Sequence, residues 1–170
     1  MTGTGPVHVR RVTTRAELES CWAVRLEVFV AEQGVPVEEE VDDLDTAPTT
    51  SHVLATRADG HAVGTGRLLS DPAHPGEVHL GRLAVRADAR GRGLGARLVV
   101  ALEGLALADH GLGSHAGAAT GANTLSVTVV LAAQEHAIGF YERLGYELVP
   151  GERFLDAGIW HRDMAHRITS

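Results

Sequence analysis

Residues 80–105, LGRLAVRADARGRGLGARLVVALEGL, pass from an alternating apolar run through a glycine-rich turn into a helical pattern. The run belongs to EVHLGRLAV (Glu77 to Val85), whose side chains alternate as in a strand. The hexapeptide Arg90-Gly91-Arg92-Gly93-Leu94-Gly95 then opens a helix that carries Leu98, Leu102 and Leu105 on one face, extends to about Asp109 and stops at Gly111. Glycines at the mouth of a helix let backbone N–H groups approach a ligand, and the helix N-terminus favours negative charge, so the segment reads as a phosphate cradle. A nucleotide P-loop requires Gly-Lys-Ser/Thr, and the chain contains no lysine. The dinucleotide fingerprint G-x-G-x-x-G/A is met formally by Gly91, Gly93 and Ala96, but its glycines arrive five residues late, and Asp109 closes a helix rather than a second strand.

Upstream, VHVRRV (Val7 to Val12) reads as a short strand, and Thr14-Arg15-Ala16-Glu17 is a capping box that starts a helix. Leu18, Trp22, Leu26 and Phe29 give that helix one buried stripe to about Val30. AEQGVPVEEEVDDLDTAPTT reads as a loop with room for one helical turn. HVLATRA (His52 to Ala58) and AVGTGRLL (Ala62 to Leu69) form a hairpin about Asp59-Gly60. Downstream, HGLGSHAGAATGANT is a glycine-rich loop expected to be mobile. LSVTVVLAA (Leu125 to Ala133) reads as a strand buried on both faces. QEHAIGFYERLGY is a short helix ending at Gly145, Tyr146 to Val149 begins a strand, and GIWHRDMAH is a last strand. The order β-α-β-β-β-α-β-α-β-β predicts an α/β or α+β sandwich on a mixed sheet. A length of 170 residues suits a single domain over 1–170.

All fifteen basic residues are arginine, against 22 acids, for a formal charge of -7. Six of those acids (Glu38, Glu39, Glu40, Asp42, Asp43, Asp45) fall within 38–45, so the surplus is local. This charge excludes nucleic acid and anionic membrane as expected partners and suits a cationic one. The acidic run reads either as a solvated face or as a recognition surface for an amine. The lone cysteine, Cys21, cannot form an internal disulfide and reads as a small buried hydrophobe. With no membrane span and no signal-peptide core in MTGTGPVHVR, a cytoplasmic location is expected. Asp43 and Asp45 lack the rest of a calcium loop, and His110 and His115 lack cysteine partners for zinc, so no metal is expected. Trp22 and Trp160 read as core.

The pattern Arg/Gln-x-x-Gly-x-Gly/Ala, met by Arg90, Gly93 and Gly95 after LAV, resembles the acetyl-coenzyme A signature of the GCN5-related N-acetyltransferases (GNAT). FYERLGYE (Phe140 to Glu147) is similar to the family's later helix-turn-strand motif, and the layout agrees over almost the whole chain. RLEVFVAEQGVP with the following acids, Ala133-Gln134 and GIWHRDM resemble a bacterial ElaA-like subgroup.

The resemblance implies the acyl-CoA N-acyltransferase fold: a mixed, mostly antiparallel sheet of six to seven strands flanked by helices. It implies transfer from acetyl-CoA to a primary amine by direct attack in a ternary complex. Leu83, Ala84 and Val85 would hold pantetheine and the thioester carbonyl, with a backbone N–H near Val85 stabilising the oxyanion. Arg90, Gly91, Arg92, Gly93, Leu94 and Gly95 would bind the pyrophosphate, with Arg86 and Arg97 adding charge nearby. Tyr141 stands where the family places the acid that serves the leaving thiolate. An alkylamine, with a pKa of about 10.4, needs a base or desolvation. His79 sits where several relatives draw that base, on one strand face with Gly81, Leu83 and Val85, and an imidazole is the commonest general base. Glu77, Glu32, His161 and bound water stay open for that role. The acceptor would be a small-molecule or peptide amine, and a homodimer is compatible because relatives often pair. A different class, a non-catalytic acyl-CoA binding or sensing module on the same fold, is distinguished by whether an amine is turned over.

Overall fold

In the computed structural model, which describes residues 5–114 and 124–170, the chain divides into two compact units. The first comprises Met1–Leu69 and Gly81–Leu102, and the second Ser70–Leu80 and Glu103–Ser170. The sheet is mixed, as the element order predicts, and mostly antiparallel, as the resemblance implies, and the described residues give it nine strands rather than six to seven.

In the first unit, β1 (Val7–Arg11) pairs antiparallel with β2 (Thr50–Arg57), and β2 with β3 (Ala62–Ser70). Asp59-Gly60 turns the hairpin, with Gly60 at φ 85. The strand order continues to β4 (Glu77–Val85), whose residues from Gly81 onward lie in this unit. Helix α1 (Arg15–Arg25) opens on the expected capping box: the Glu17 amide donates to Thr14 Oγ1 at 3.2 Å, and the Thr14 amide donates back to Glu17 Oε2 at 3.2 Å. The chain then winds as a π-helix over Leu26–Glu32, two residues past the expected end, and leaves it at Gly34, φ 73. The buried stripe is therefore Leu18, Cys21, Val24 and Val28, while Trp22, Leu26 and Phe29 are half-buried. Leu18 and Cys21 pack on Leu54, and Val24 and Val28 on Ala84 of β4.

Helix α2 (Val37–Glu40) and a 3-10 turn (Asp43–Thr46) occupy the segment expected as a loop. Helix α3 (Leu94–His110) presses on β3 where the strand has no side chains. A Cβ on Gly64 would lie 2.9 Å from Leu98 Cδ1, and one on Gly66 would lie 2.6 Å from Leu102 Cδ1.

In the second unit, the start of β4 runs parallel to β6 (Thr124–Gln134), pairing Glu77–Val78–His79 with Thr128–Val129–Val130. Strand β6 pairs antiparallel with β9 (Ile159–Thr169) from Ser126↔Thr169 to Gln134↔His161. Two short strands escaped the sequence pattern: β5 (Leu112–Ser114) on β6, and β8 (Phe154–Asp156) on β9. β7 (Glu147–Leu148) also lies on β9. Strand β6 is not buried on both faces. Val127, Val129, Leu131 and Ala133 are buried, and the alternate residues are not, so a run interrupted only by Ser126 and Thr128 follows a period of two. His110 belongs to α3, Leu112–Ser114 to β5 and Thr124 to β6, so the expected mobile loop does not begin at His110; its residues 115–123, with His115, lie outside the described residues. Helix α4 (Ile138–Glu142) follows a 3-10 turn and ends in a turn at Gly145, φ 95.

Candidate active site

The glycine loop is the head of α3. Gly91 and Gly93 adopt φ 78 and 73, values that suit glycine, and no atom lies within 4 Å of a Cβ built on either. The first bond into the helix runs from the Arg97 amide to Gly93 O at 3.1 Å. The amides of Leu94, Gly95 and Ala96 precede it and have no intrahelical acceptor, which leaves them for a ligand or water. Beside the loop lies an open cavity of about 210 Å³ lined by Val7, Arg57, Arg92, Leu94 and Arg97. These groups make the hollow suited to an anion.

The loop arginines differ in their engagement. Arg90 braces the loop: its Nε donates to Val85 O at 2.8 Å and its Nη2 to Glu32 Oε2 at 2.6 Å. Arg86 pairs with Glu27 at 3.0 Å, and Arg97 donates to Val7 O at 2.7 Å. Arg92 is exposed and makes no hydrogen bond or ion pair among the described residues. Arg57, at the end of β2, is held by Asp88 at 2.9 Å. It went unrecognised because 35 positions separate it from Arg92 and no local motif marks it.

Within β4, Ala84 is buried, while Leu83 and Val85 are half-buried. The uninterrupted alternation expected for His79, Gly81, Leu83 and Val85 fails at Arg82, whose φ is 51. A non-glycine residue there is uncommon and marks a local kink. His79 itself is exposed, with Nε2 at 3.3 Å from Glu77 Oε1.

The acidic run is not a free acidic face. Glu40 and Asp45 are buried at 2% and 3% exposure. Arg25, at 1%, donates from Nε to Glu40 Oε1 and from Nη1 to Asp45 Oδ1, each at 2.7 Å, and from Nη2 to Glu40 O. Arg67 Nη1 bridges Asp42 at 2.8 Å and Asp45 at 3.0 Å, and Trp22 Nε1 donates to Asp45 Oδ2 at 3.0 Å. His52 Nε2 donates to Asp45 O at 2.9 Å, and burial pushes this imidazole below its ordinary value, so it is a neutral structural group. Burial alone would raise the Asp45 carboxyl, but Arg25 and Arg67 hold it down at about 2; at Glu40 burial outweighs the arginines and the carboxyl rises. Only Glu38, Glu39 and Asp43 of the six are exposed.

In the second unit, Tyr141 lies on α4 with its ring edge-on to Phe140 at 5.0 Å and to Tyr146 at 5.7 Å. It is 8% exposed, and burial pushes its phenol up to about 12. Its hydroxyl makes no hydrogen bond among the described residues. Tyr146, the other tyrosine of the motif, is engaged: its O–H donates to Glu103 Oε1 at 3.0 Å, the oxygen that His166 Nδ1 approaches at 3.4 Å. Of the two, Tyr141 alone keeps a free donor. His161 is buried, stacked on Phe154, and donates from Nδ1 to Ile159 O at 2.7 Å. Trp160 is not core: it is 39% exposed, with the Arg153 guanidinium 4.0 Å above its ring. Among the described residues no group of three or more His, Cys, Asp or Glu is placed to hold a metal, and no helix is long and apolar enough to cross a membrane.

A family model described as Acetyltransferase (GNAT) domain matches residues 17–168. The uncharacterized N-acetyltransferase YjcF of Bacillus subtilis is 37% identical over 149 residues, which cover 87% of this chain and 91% of that one. The crystal structure of an acyl-CoA N-acyltransferase from Pseudomonas aeruginosa matches with a TM-score of 0.75 at 32% identity, covering 94% of this chain and 99% of the other. The crystal structure of Escherichia coli ElaA, at 24% identity, shares the fold with a TM-score of 0.75 over 94% and 99% of the two chains.

Proposed function

The chain belongs to the GNAT acetyltransferase family of acyl-CoA-dependent N-acyltransferases, and from that premise we propose that it acts as one domain over 1–170 in the cytoplasm, moving an acetyl group from acetyl-CoA to a primary amine of a small molecule or peptide. The observation that carries the reading is the head of α3, where two glycines at positive φ, three amides without helical acceptors and an arginine-lined hollow converge. That arrangement suits a pyrophosphate and gives the acyl donor a fixed anchor.

Residues Gly91 to Gly95 bind the pyrophosphate through backbone donors, Arg92 adds charge, and Arg90 keeps the loop in shape. The backbone of Leu83 to Val85 orients the pantetheine arm and donates to the carbonyl oxygen as it gathers charge. The amine's lone pair forms the N–C bond, the C–S bond breaks, and the departing thiolate takes the second proton that the nitrogen sheds, which leaves the amide and the coenzyme A thiol. Tyr141 donates a hydrogen bond to that thiolate. His79 accepts the proton that the amine must lose before attack.

The direct test follows release of the coenzyme A thiol from acetyl-CoA across a panel of primary amines. Amine-dependent release with at least one class supports transfer. Binding of coenzyme A with no release for any amine points to the sensing module instead. Gly93→Val forces a β-branched residue into φ 73, a strain of about 1–3 kcal/mol that should distort the loop and weaken coenzyme A binding roughly tenfold or more by calorimetry. Unchanged affinity removes the loop from the donor site. With His79 as the base, His79→Gln should lower kcat/KM by about a hundredfold with coenzyme A affinity held. A value within twofold of the parent's transfers the role to another group.

A further inference from the structure

We infer that the acidic segment 38–45 is a clasp on β4, and that Arg82 is the positioning residue through which it sets the backbone of Leu83 to Val85. The kink at Arg82 is the one non-glycine residue of β4 in the left-handed region, with φ 51. Its guanidinium donates from Nη2 to Glu39 O at 3.0 Å, and it approaches Glu40 Oε1 at 3.4 Å and Asp42 Oδ2 at 3.5 Å. These partners are themselves fixed. Glu40 is tied to α1 by Arg25, and Asp42 is tied to β3 by Arg67, which also holds Asp45. The segment is therefore anchored to a helix and a strand and turns its remaining contacts toward Arg82.

An extended strand has no reason to hold a bulky residue at φ 51 unless the surroundings over-determine it. Here the over-determination is one hydrogen bond to a carbonyl and two ion-pair approaches to carboxylates around one planar cation, an arrangement that a lysine would reproduce only in part. The next three residues are those assigned to the pantetheine and the thioester carbonyl. A small error in their direction misaligns the reacting carbonyl, so a clasp that fixes Arg82 bears on rate more than on donor affinity, which the α3 loop supplies. This inference rests on the acetyltransfer reading for its effect on rate, while its mechanical part stands without it. It also removes the acidic run from the candidates for amine recognition.

The test compares Arg82→Gln, Arg82→Lys and the paired exposed change Glu38→Gln with Asp43→Asn. Amide hydrogen exchange over residues 83–85 reads the clasp without reference to catalysis. Arg82→Gln should speed it about tenfold with α1 unchanged, and Arg82→Lys should lie between it and the parent. Unchanged exchange in Arg82→Gln overturns the clasp whether or not the protein turns over an amine. In steady-state assays with a competent amine, Arg82→Gln should lower kcat by about tenfold to a hundredfold with coenzyme A affinity held, and Arg82→Lys should recover part of it. Faster exchange with kcat intact overturns the positioning role. Faster exchange in Arg82→Gln, together with a parent that acetylates nothing, overturns the functional reading and leaves the clasp standing. The paired exposed variant should keep the parent's amine KM; a rise of tenfold would return the acidic run to substrate recognition.

Discussion

Tyr141→Phe should lower kcat for amine acetylation by about a hundredfold while coenzyme A affinity and thermal stability stay at the parent's values. The substitution keeps the ring and its edge-on contacts with Phe140 and Tyr146 and deletes only the hydroxyl. That hydroxyl has no partner among the described residues, so its loss leaves no orphaned acceptor behind. Burial holds the phenol at about 12, so it keeps its proton throughout the range in which the protein is studied, and kcat should show no alkaline fall attributable to this group below that value. A cysteine thiol ionises near 8.5, and the phenol is held well above the ordinary thiol range, so complete transfer of its proton to a thiolate would run uphill. Under the proposed mechanism Tyr141 would then serve the thiolate as a hydrogen-bond donor without giving up its proton in full. A kcat within twofold of the parent's would remove it from the mechanism.

Arg25→Met should destabilise the protein by about 3–5 kcal/mol in urea unfolding, the usual consequence of leaving buried carboxylates without their cation. Arg25 and Glu40 are 1% and 2% exposed, so water cannot substitute for the lost partner. The deficit should shrink in acid, and the sign follows from Asp45. Its folded value, about 2, lies below the ordinary 3.8, so its contribution is complete above 3.8 and disappears as pH falls toward 2. Without Arg25 that depression weakens, and the variant has less to lose on acidification. Glu40 responds in the opposite sense: burial lifts its carboxyl above the ordinary value, so the folded state takes up its proton early. A deficit below 1 kcal/mol, or one that does not change between pH 5 and pH 3, would show that the network is not a unit.

Local signals carried most of the architecture. The capping box at Thr14, the Asp59-Gly60 turn and the glycine loop each lie within a few consecutive residues, and each formed where the pattern placed it. What the sequence hid depends on partners far along the chain. Arg25 meets Glu40 fifteen positions away, Arg67 meets Asp45 twenty-two away, and Arg82 meets Glu39 forty-three away. A run of acids with no neighbouring cations therefore looked like a solvated face although topology had assigned half of it to buried guanidinium groups. Trp160 misled for a related reason: an aromatic on a terminal strand suggests core, and only the fold shows that Arg153 covers one face and solvent the rest.

The cations of the clasp, Arg25, Arg67 and Arg82, are all guanidinium groups, and the chain has no lysine anywhere. A guanidinium stays protonated at every physiological pH, so it has no lone pair to offer an activated acyl thioester. A lysine in the same position would be open to acylation, which erases its charge and with it the ion pair. A protein that holds such a thioester close to its own surface thus carries a scaffold that its reagent cannot consume, and its side chains offer no amine to compete with the acceptor.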